Sequence, residues 1–189
     1  VAVPRLVPAP LEPIPLRVKF VASAAGGKLR FARTAVSQAL HGPFDLVVTG
    51  HINLVTLGSL LALAKGARSA LVVHGIDAWA PHRSRLVRKN LLRMDRVIGV
   101  SSVTLERFGK WARADSTRFR LLPNCVDLTK FSPRPKPADL ARQLGLEGRT
   151  VIMTLGRLAS EERYKGFDEV IEALPELAQV SARTLHASA

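Results

Sequence analysis

The sequence has few cysteines, few aromatic residues and no long apolar run. Its one cysteine, Cys125, excludes an internal disulfide framework and predicts a reducing compartment. Only 5% of the residues are aromatic and no nucleic-acid-binding module is recognisable, which disfavours sequence-specific binding of DNA or RNA. The longest apolar run, residues 54–64, ends at Lys65 and is shorter than the roughly 18 residues that a membrane span requires.

Acidic residues are also scarce relative to basic ones. The 28 Lys and Arg residues against 15 Asp and Glu residues give a net charge of +13. This charge favours nucleic acid, anionic lipid or a phosphorylated substrate as partner, without choosing among them. No group of His, Cys, Asp and Glu has the spacing of metal ligands, so we predict no metal site. The proline-rich start, with Val1 in place of Met, predicts an extended lead-in and not a signal peptide.

Short apolar runs alternate with helical patterns along most of the chain. We predict strands at residues 45–50, 69–75, 96–102 and 119–127, with residues 16–23 as a further candidate. The helical patterns cover residues 29–40, 53–65, 81–93 and 103–112. This alternation predicts an α/β fold, a Rossmann-like parallel sheet flanked by helices. The wholly apolar run at residues 45–50 is typical of a strand that is buried on both faces.

A proline-rich connector predicts a domain boundary. Pro133, Pro135 and Pro137 alternate with other residues and disfavour both helix and central strand. We assign a first domain to residues 1–127, a linker with a short helix to residues 128–148, and an incomplete second domain to residues 149–189. In the second domain a strand is predicted at residues 150–156 and a helix at residues 167–178. The small and polar residues 180–189 do not predict a further strand, which indicates truncation, a frame error or a disordered terminus.

Candidate site residues follow the predicted strands. His51, Asn53 and His74 come just after two neighbouring strands, where ligands of parallel sheets bind. His74 is alternatively a turn histidine satisfied by a backbone carbonyl. His41 and His82 are predicted to be surface residues.

A second candidate site follows the strand at residues 150–156. Gly156, Arg157 and Lys165 stand where that strand gives way to a helix, and two cations beside a helix N-terminus suit a diphosphate. The alternative is a solvated loop in which Arg157 and Lys165 pair with nearby carboxylates.

Several motifs resemble family 4 glycosyltransferases, which are retaining enzymes of the GT-B fold with two Rossmann-like domains. The interdomain motifs are LLPNCVDLTKFSPRP, LGLEGRTVIMTLGRL and YKGFDEVIEALPEL. The segments DLVVTGHINL, LVVHGIDAW and RVIGVSSVTLERF resemble parts of the acceptor domain in the same order. The resemblance covers roughly residues 28–177.

The resemblance implies transfer of a sugar from a nucleotide-diphosphate-sugar to a hydroxyl of a lipid-linked or polysaccharide-precursor acceptor. It implies that Gly156, Arg157 and Lys165 hold the donor diphosphate without a metal or another cofactor. It also implies that His74 faces the reaction centre, and His51 and Asn53 are candidates for contact with acceptor hydroxyls.

The sequence departs from the family pattern in three places. The gap between Arg157 and Lys165 is longer than usual, and the glycine-rich first loop is reduced to Gly26 and Gly27. The paired glutamates of the family are expected downstream of this chain, so we expect the chain alone to be nearly inactive.

A basic segment suggests a further contact. Arg85, Arg88, Lys89, Arg93 and Arg96 recur at helical spacing, which suits either an anionic membrane surface or a solvated face. We expect a cytoplasmic protein, peripheral on the inner face of the membrane if this surface binds lipid. The alternatives are a non-catalytic basic domain that binds nucleic acid or membrane, and a sugar-nucleotide epimerase of the GT-B fold. A dinucleotide dehydrogenase is disfavoured because no strand is followed by G-x-G-x-x-G.

Overall fold

The computed structural model describes residues 1–10, 13–149, 151–156 and 160–187. The chain divides into two compact units, Val1–Asp127 and Leu128–Ala189. The first unit contains a β-sheet with flanking helices, whereas the described part of the second unit is helical outside its loops.

The first unit is built on four parallel strands. They are β1 (Leu46–Thr49), β2 (Arg68–Val73), β3 (Arg96–Gly99) and β4 (Phe119–Leu121), and they lie side by side in chain order. The register places Leu71 between Thr49 and Val97. The predicted α/β class and parallel sheet are confirmed, and each strand is shorter than its apolar run.

Four helices accompany the sheet. They are α1 (Lys28–His41), α2 (Val55–Lys65), α3 (Arg85–Leu91) and α4 (Ser102–Ala112). Local sequence sets their ends: Ser84 and Ser101 cap α3 and α4 by accepting hydrogen bonds from the backbone N–H groups of Val87 and Thr104. Helix α2 ends at Gly66, which adopts the left-handed conformation.

The two faces of the sheet differ in burial. Each connection steps to the next strand in the same direction, so right-handed crossovers bring the connecting helices to one face. On that face Leu71, Val73 and Val97 belong to a core that includes the fully buried Phe108. On the opposite face Leu46 and Val48 are 51% and 55% exposed. The prediction that residues 45–50 are buried on both faces is therefore wrong, because the connecting helices cover only one.

A glycine allows close packing beside the end of β1. A Cβ atom at Gly58 of α2 would lie 2.1 Å from Thr49 Oγ1, which no side chain tolerates. Gly58 thus lets α2 approach the residues that lead into the loop after β1.

A reciprocal pair joins the amino ends of β2 and β3. Asp95 Oδ2 accepts hydrogen bonds from Ser69 N–H at 2.7 Å and from Ser69 Oγ at 2.8 Å. Ser69 Oγ in turn accepts from Asp95 N–H at 3.1 Å. The pair ties together two residues that are 26 positions apart and fixes the start of both strands.

The candidate strand at residues 16–23 is not formed. A single parallel bridge joins Ala2 to Phe20, and a short 3-10 turn follows at Ala22–Ala24. Pro4, two residues beyond Ala2, has no N–H with which to extend the bridge into a ladder.

The described part of the second unit contains two α-helices, α5 (Ala138–Gln143) and α6 (Phe167–Ala187), with a 3-10 segment at Ser160–Lys165. None of residues 151–156 is in a strand, and Met153 and Leu155 are 81% and 91% exposed. A parallel strand needs a neighbour with which to form hydrogen bonds, and the described residues of this unit supply none. Helix α6 extends beyond the predicted end at residue 178 and contains Pro175.

Candidate functional site

The loops after β1 and β2 lie along one edge of the sheet. Because the two strands are adjacent and parallel, their carboxyl ends lie side by side. His51 comes two residues after β1 and His74 one residue after β2, as the apolar runs predicted. Short 3-10 turns follow them at Ile52–Leu54 and Ile76–Ala78.

His74 joins the two loops. Its Nε2 lies 3.0 Å from the carbonyl oxygen of Gly50. A carbonyl only accepts, so Nε2 carries the proton and donates, and Nδ1 of the neutral ring keeps a lone pair. The carbonyl contact expected of a turn histidine is therefore present, but it occupies only one ring nitrogen. The exposed ring can accept a hydrogen bond from a ligand hydroxyl through Nδ1.

The geometry of His51 fixes its tautomer as well. Its Nδ1 accepts a hydrogen bond from the backbone N–H of Asn53 at 3.1 Å. The proton of the neutral ring therefore resides on Nε2, which lies 3.9 Å from Asp77 Oδ2. This separation is too long for a hydrogen bond but short enough for electrostatic attraction if the ring is protonated.

Asp77 contributes an unsatisfied carboxylate oxygen to this edge. Its Oδ1 accepts from the backbone N–H of Gly75 at 2.9 Å. Its Oδ2 is buried and has no hydrogen-bond partner in the part of the chain that the structure describes. A buried acceptor without a donor costs free energy. Asp77 Oδ2 is therefore able to accept a hydrogen bond from a group that enters the site.

A second contact between the loops involves His82, which lies between β2 and α3. His82 Nε2 is 2.8 Å from Asn53 Oδ1. The His82 ring is half-buried and contacts Asn53, which its predicted position at the surface did not indicate. The two residues are 29 positions apart, and only the folding of the sheet brings them together.

Aromatic residues hold the loop after β2 against α4. Trp111 Nε1 donates to the carbonyl oxygen of Ala78 at 2.8 Å, and Trp79 Nε1 donates to Thr104 Oγ1 at 3.4 Å. The guanidinium of Arg107 lies 4.2 Å from the ring centroid of Trp79. These contacts fix the backbone that carries Asp77.

The second unit brings together two of the three residues predicted to bind a diphosphate. A Cβ atom at Gly156 would lie 2.7 Å from the ring of Phe167, so the ring's position requires glycine, and 3.6 Å from Lys165 Cδ, which is an ordinary contact. Arg157 lies outside the described residues. Asp168, an acidic residue of the same loop and helix start, forms an ion pair with Arg163 at 2.5 Å.

Comparison with known proteins identifies the family. The pattern of the family described as Glycosyltransferase Family 4 matches residues 3–130, well over half of the chain. The chain belongs to glycosyltransferase family 4. The resemblance that the motifs predicted is thereby confirmed, and the matched range contains His51, Asn53, His74, Asp77 and His82.

Solved structures of Anabaena Alr3699/HepE are similar to this family 4 chain. The complex with UDP has a TM-score of 0.63 at 19% identity over 77% of this chain, and the complex with UDP-glucose has a TM-score of 0.60 at 19% identity over 80%. The complex with UDP and glucose has a TM-score of 0.59, also at 19% identity. The matches show a shared GT-B-like fold. The chain spans 40% and 43% of the first two of those chains. None of the curated proteins matches the chain.

The functional roles of the site residues in this glycosyltransferase chain stay predictions. Gly156, Arg157 and Lys165 lie beyond the family match, which ends at residue 130. Sequence patterns pointed to His51, Asn53 and His74 because they follow strands. They did not point to Asp77 or His82, since neither residue belongs to a spacing that indicates a site.

The basic residues of this family 4 chain do not form one face of one helix. Helix α3 is shorter than predicted, so Arg93 lies beyond its end and Arg96 begins β3. Arg88 is half-buried and donates to the carbonyl oxygens of His82 and Arg83. Arg85, Lys89, Arg93 and Arg96 are exposed. Leu86 of α3 is also largely exposed, at 57%.

The described residues contain neither a metal-binding cluster nor a membrane-spanning helix. No group of three or more His, Cys, Asp or Glu side chains there is arranged to hold a metal ion. No described helix is both long enough and apolar enough to cross a membrane.

Proposed function

We propose that this chain supplies the acceptor side, and the beginning of the donor side, of a retaining hexosyltransferase. The enzyme moves a sugar from a nucleotide-diphosphate-sugar to a hydroxyl of a lipid-linked or polysaccharide-precursor acceptor. The observation that carries the proposal is the polar cluster of His51, Asn53, His74 and Asp77 at the carboxyl edge of the sheet in a family 4 chain. In this proposal residues 1–127 form the acceptor domain, residues 128–148 the linker and residues 149–189 the start of the donor domain.

The acceptor chemistry of the proposal rests on hydrogen bonds that determine which nitrogen of each histidine ring carries the proton. His74 Nε2 is held by Gly50 O, so Nδ1 accepts the hydrogen bond of the acceptor hydroxyl and directs a lone pair of its oxygen toward the anomeric carbon. His51 and Asn53 bind other hydroxyls of the acceptor through N–H groups. His74 is the catalytic residue in this assignment.

The donor chemistry rests on Gly156, Arg157 and Lys165. As the acceptor oxygen bonds to the anomeric carbon on the face from which the diphosphate leaves, the bond from that carbon to the diphosphate oxygen breaks, and the configuration is retained. The hydroxyl proton passes to His74 Nδ1, and the nucleoside diphosphate departs with the electron pair. Arg157 and Lys165 stabilise the charge that develops on it. The proximity of Lys165 to Gly156 supports this role, as does the UDP bound by the similar HepE structure. The nucleotide sugar is a co-substrate, and the assignment requires no other cofactor.

Titration with UDP tests the donor assignment. We expect Arg157→Ala and Lys165→Ala each to weaken UDP binding about tenfold or more, the effect of removing a charge-assisted hydrogen bond. Arg142→Ala is the matched control, because Arg142 is an exposed arginine of the same unit that pairs with Asp139. Isothermal titration calorimetry measures the affinities. Equal UDP affinity in all four proteins would contradict the donor assignment.

Product analysis tests the reaction class. Because the chain alone is expected to be nearly inactive, prolonged incubation with UDP-glucose and a saccharide acceptor should yield only a trace of glycoside, whose anomeric configuration is that of the donor. Release of an epimerised sugar nucleotide would instead favour the epimerase alternative.

We further propose that exposed basic residues near α3 contact anionic lipid at the cytoplasmic face of the membrane. Each charge near such a surface contributes about 1 kcal/mol. Replacing Arg85, Lys89 and Arg93 together by Gln should abolish sedimentation with phosphatidylserine vesicles at low salt. The matched control replaces the exposed Lys28, Arg30 and Arg33 of α1. An equal loss in both variants would indicate unspecific attraction by the net charge, and binding to DNA alone would favour the nucleic-acid alternative.

A further inference from the structure

His82 is anchored independently of the site. Its Nδ1 accepts a hydrogen bond from the backbone N–H of Ser84 at 3.1 Å, and its carbonyl oxygen accepts from the guanidinium of Arg88. Ser84 is also the N-cap of α3. The imidazole is therefore held by the turn that begins this helix, and its orientation does not depend on a ligand.

This anchoring determines the polarity of the bond from His82 to Asn53. Because Nδ1 accepts from Ser84, the proton of the neutral ring resides on Nε2. Nε2–H then donates to Asn53 Oδ1 at 2.8 Å. A flipped Asn53 carboxamide would set two donors against each other, so the bond selects one orientation of the side chain.

The orientation of Asn53 decides what it offers to a ligand. The side-chain oxygen Oδ1 of Asn53 accepts a hydrogen bond from His82, and the backbone N–H of Asn53 donates one to His51 Nδ1. The side-chain Nδ2 group provides two N–H donors, and the residue is exposed at the carboxyl edge of the sheet. A ligand therefore meets Asn53 as a donor.

We propose that His82 is a positioning residue of the acceptor site, which fixes Asn53 so that its amide N–H groups bind a hydroxyl oxygen of the acceptor. The ligand class rests on the proposed function, whereas the positioning itself rests on the hydrogen bonds from Ser84 to His82 and from His82 to Asn53. Next to Asn53, a substrate oxygen that can accept a hydrogen bond is therefore favoured over a group that can only donate one.

The first experiment measures the tautomers directly. Long-range ¹H–¹⁵N correlation spectra of the histidine-labelled chain should show His82 as the Nε2–H tautomer. Asn53→Ala should shift the His82 ring signals and accelerate exchange of the Nε2 proton. An Nδ1–H tautomer, or ring signals unaffected by Asn53→Ala, would overturn the positioning role whatever the ligand is.

The second experiment titrates D-glucose and follows the side-chain amide signals of Asn53. His82→Leu should weaken binding about five- to tenfold, as expected for one hydrogen bond. His82→Gln should restore binding to within about twofold, since its side-chain amide can donate from the position of Nε2. His41→Ala is the control, because His41 is exposed and forms its hydrogen bond with Ser37 of its own helix.

Two further outcomes separate the positioning role from the proposed function. Asn53→Asp keeps an oxygen for His82 but removes both side-chain donors, so it should leave the His82 tautomer unchanged and abolish glucose binding. Unchanged binding in His82→Leu, with the chain folded by circular dichroism, overturns the positioning role. Absence of glucose binding in the wild type, with His82 as the Nε2–H tautomer, contradicts the acceptor assignment and leaves the positioning geometry supported.

Discussion

The two ends of the four-stranded sheet each carry an aspartate, and the two carboxylates are treated differently. At the amino end Asp95 Oδ2 accepts two hydrogen bonds from Ser69, and the Ser69 hydroxyl accepts one in return. At the carboxyl end Asp77 Oδ2 is buried and has no donor in the described part of the chain. The Asp95 Oδ2 atom at the amino end has its hydrogen bonds within the protein, whereas Asp77 Oδ2 at the carboxyl end can still accept one from a ligand.

The electrostatics of Asp95 follow from this difference. The hydrogen bonds from the hydroxyl and the backbone N–H of Ser69 lower the pKa of Asp95 below its usual 3.8, and the nearby Arg68 acts in the same direction. Stability and the proposed function are thus divided between the ends of the strands: the amino end fixes the register of β2 and β3, and the carboxyl end carries the candidate site.

The largest loss of stability should come from a substitution in the hydrophobic core, which supports both ends of the sheet. Phe108 is fully buried and makes edge contacts with Trp111 and Phe119. We expect Phe108→Ala to lower the free energy of unfolding by about 3–5 kcal/mol, because it leaves a cavity. Urea denaturation followed by circular dichroism measures the loss. Val103→Ala, at an exposed position of the same helix, is the control, and an equal effect in both variants would contradict this account of the core.

The next effect should come from the amino end. Asp95→Ala removes the hydrogen bonds with Ser69 and should lower the free energy of unfolding by about 1–2 kcal/mol, while glucose binding at the other end persists. A strongly non-additive double variant with Ser69→Ala would confirm that the pair acts as a unit.

The contribution of Asp95 should depend on pH in a defined direction. Because its pKa is lowered on folding, its stabilisation is complete above about pH 4 and is lost as the pH falls through the lowered pKa. The difference between wild type and Asp95→Ala should therefore shrink in acid. A difference that stays constant down to pH 2 would argue against an ionised Asp95 as its source.

A smaller and more local loss of stability is expected when Trp111, which holds the loop after β2, is replaced. Trp111→Phe keeps an aromatic ring beside Phe108 but loses the hydrogen bond to the Ala78 carbonyl oxygen, at a cost of about 1 kcal/mol. Backbone amides in the Ile76–Ala78 turn should exchange hydrogen faster, while those of β2 should not. Exchange that is unchanged in this turn would show that Trp111 does not hold the loop.

The smallest effect on stability should come from Asp77. Asp77→Asn keeps Oδ1 for Gly75 and removes an unpaired carboxylate oxygen, so the free energy of unfolding should change by no more than about 0.5 kcal/mol. Acceptor binding should nevertheless weaken, because the charge opposite His51 is lost. A destabilisation as large as that of Asp95→Ala would make Asp77 a structural residue and remove the contrast between the two ends.

Much of the first unit could be predicted from its sequence because its signals are local. The apolar runs before Gly50, Gly75 and Ser101 each contain a strand, and serine caps mark two helix starts. The strand predicted at residues 150–156 is not formed by the described residues 151–156. A strand depends on pairing with a neighbour, which its own residues do not specify.

The candidate site could be predicted only in part. His51 and His74 are indicated by their positions after strands. The contacts from His82 to Asn53 and from Asp77 to His51 join residues far apart in the chain, so no spacing reveals them. The same holds for the exposed face of β1, which follows from the order of the strands and not from their composition.

The order of the strands also bears on how this unit forms during synthesis. Among the four described strands, β2, β3 and β4 each pair with the strand made just before them, and none is inserted between earlier strands. The sheet can therefore grow by one strand and helix at a time as the chain leaves the ribosome, with the loops of the carboxyl edge closing in the order in which they are translated.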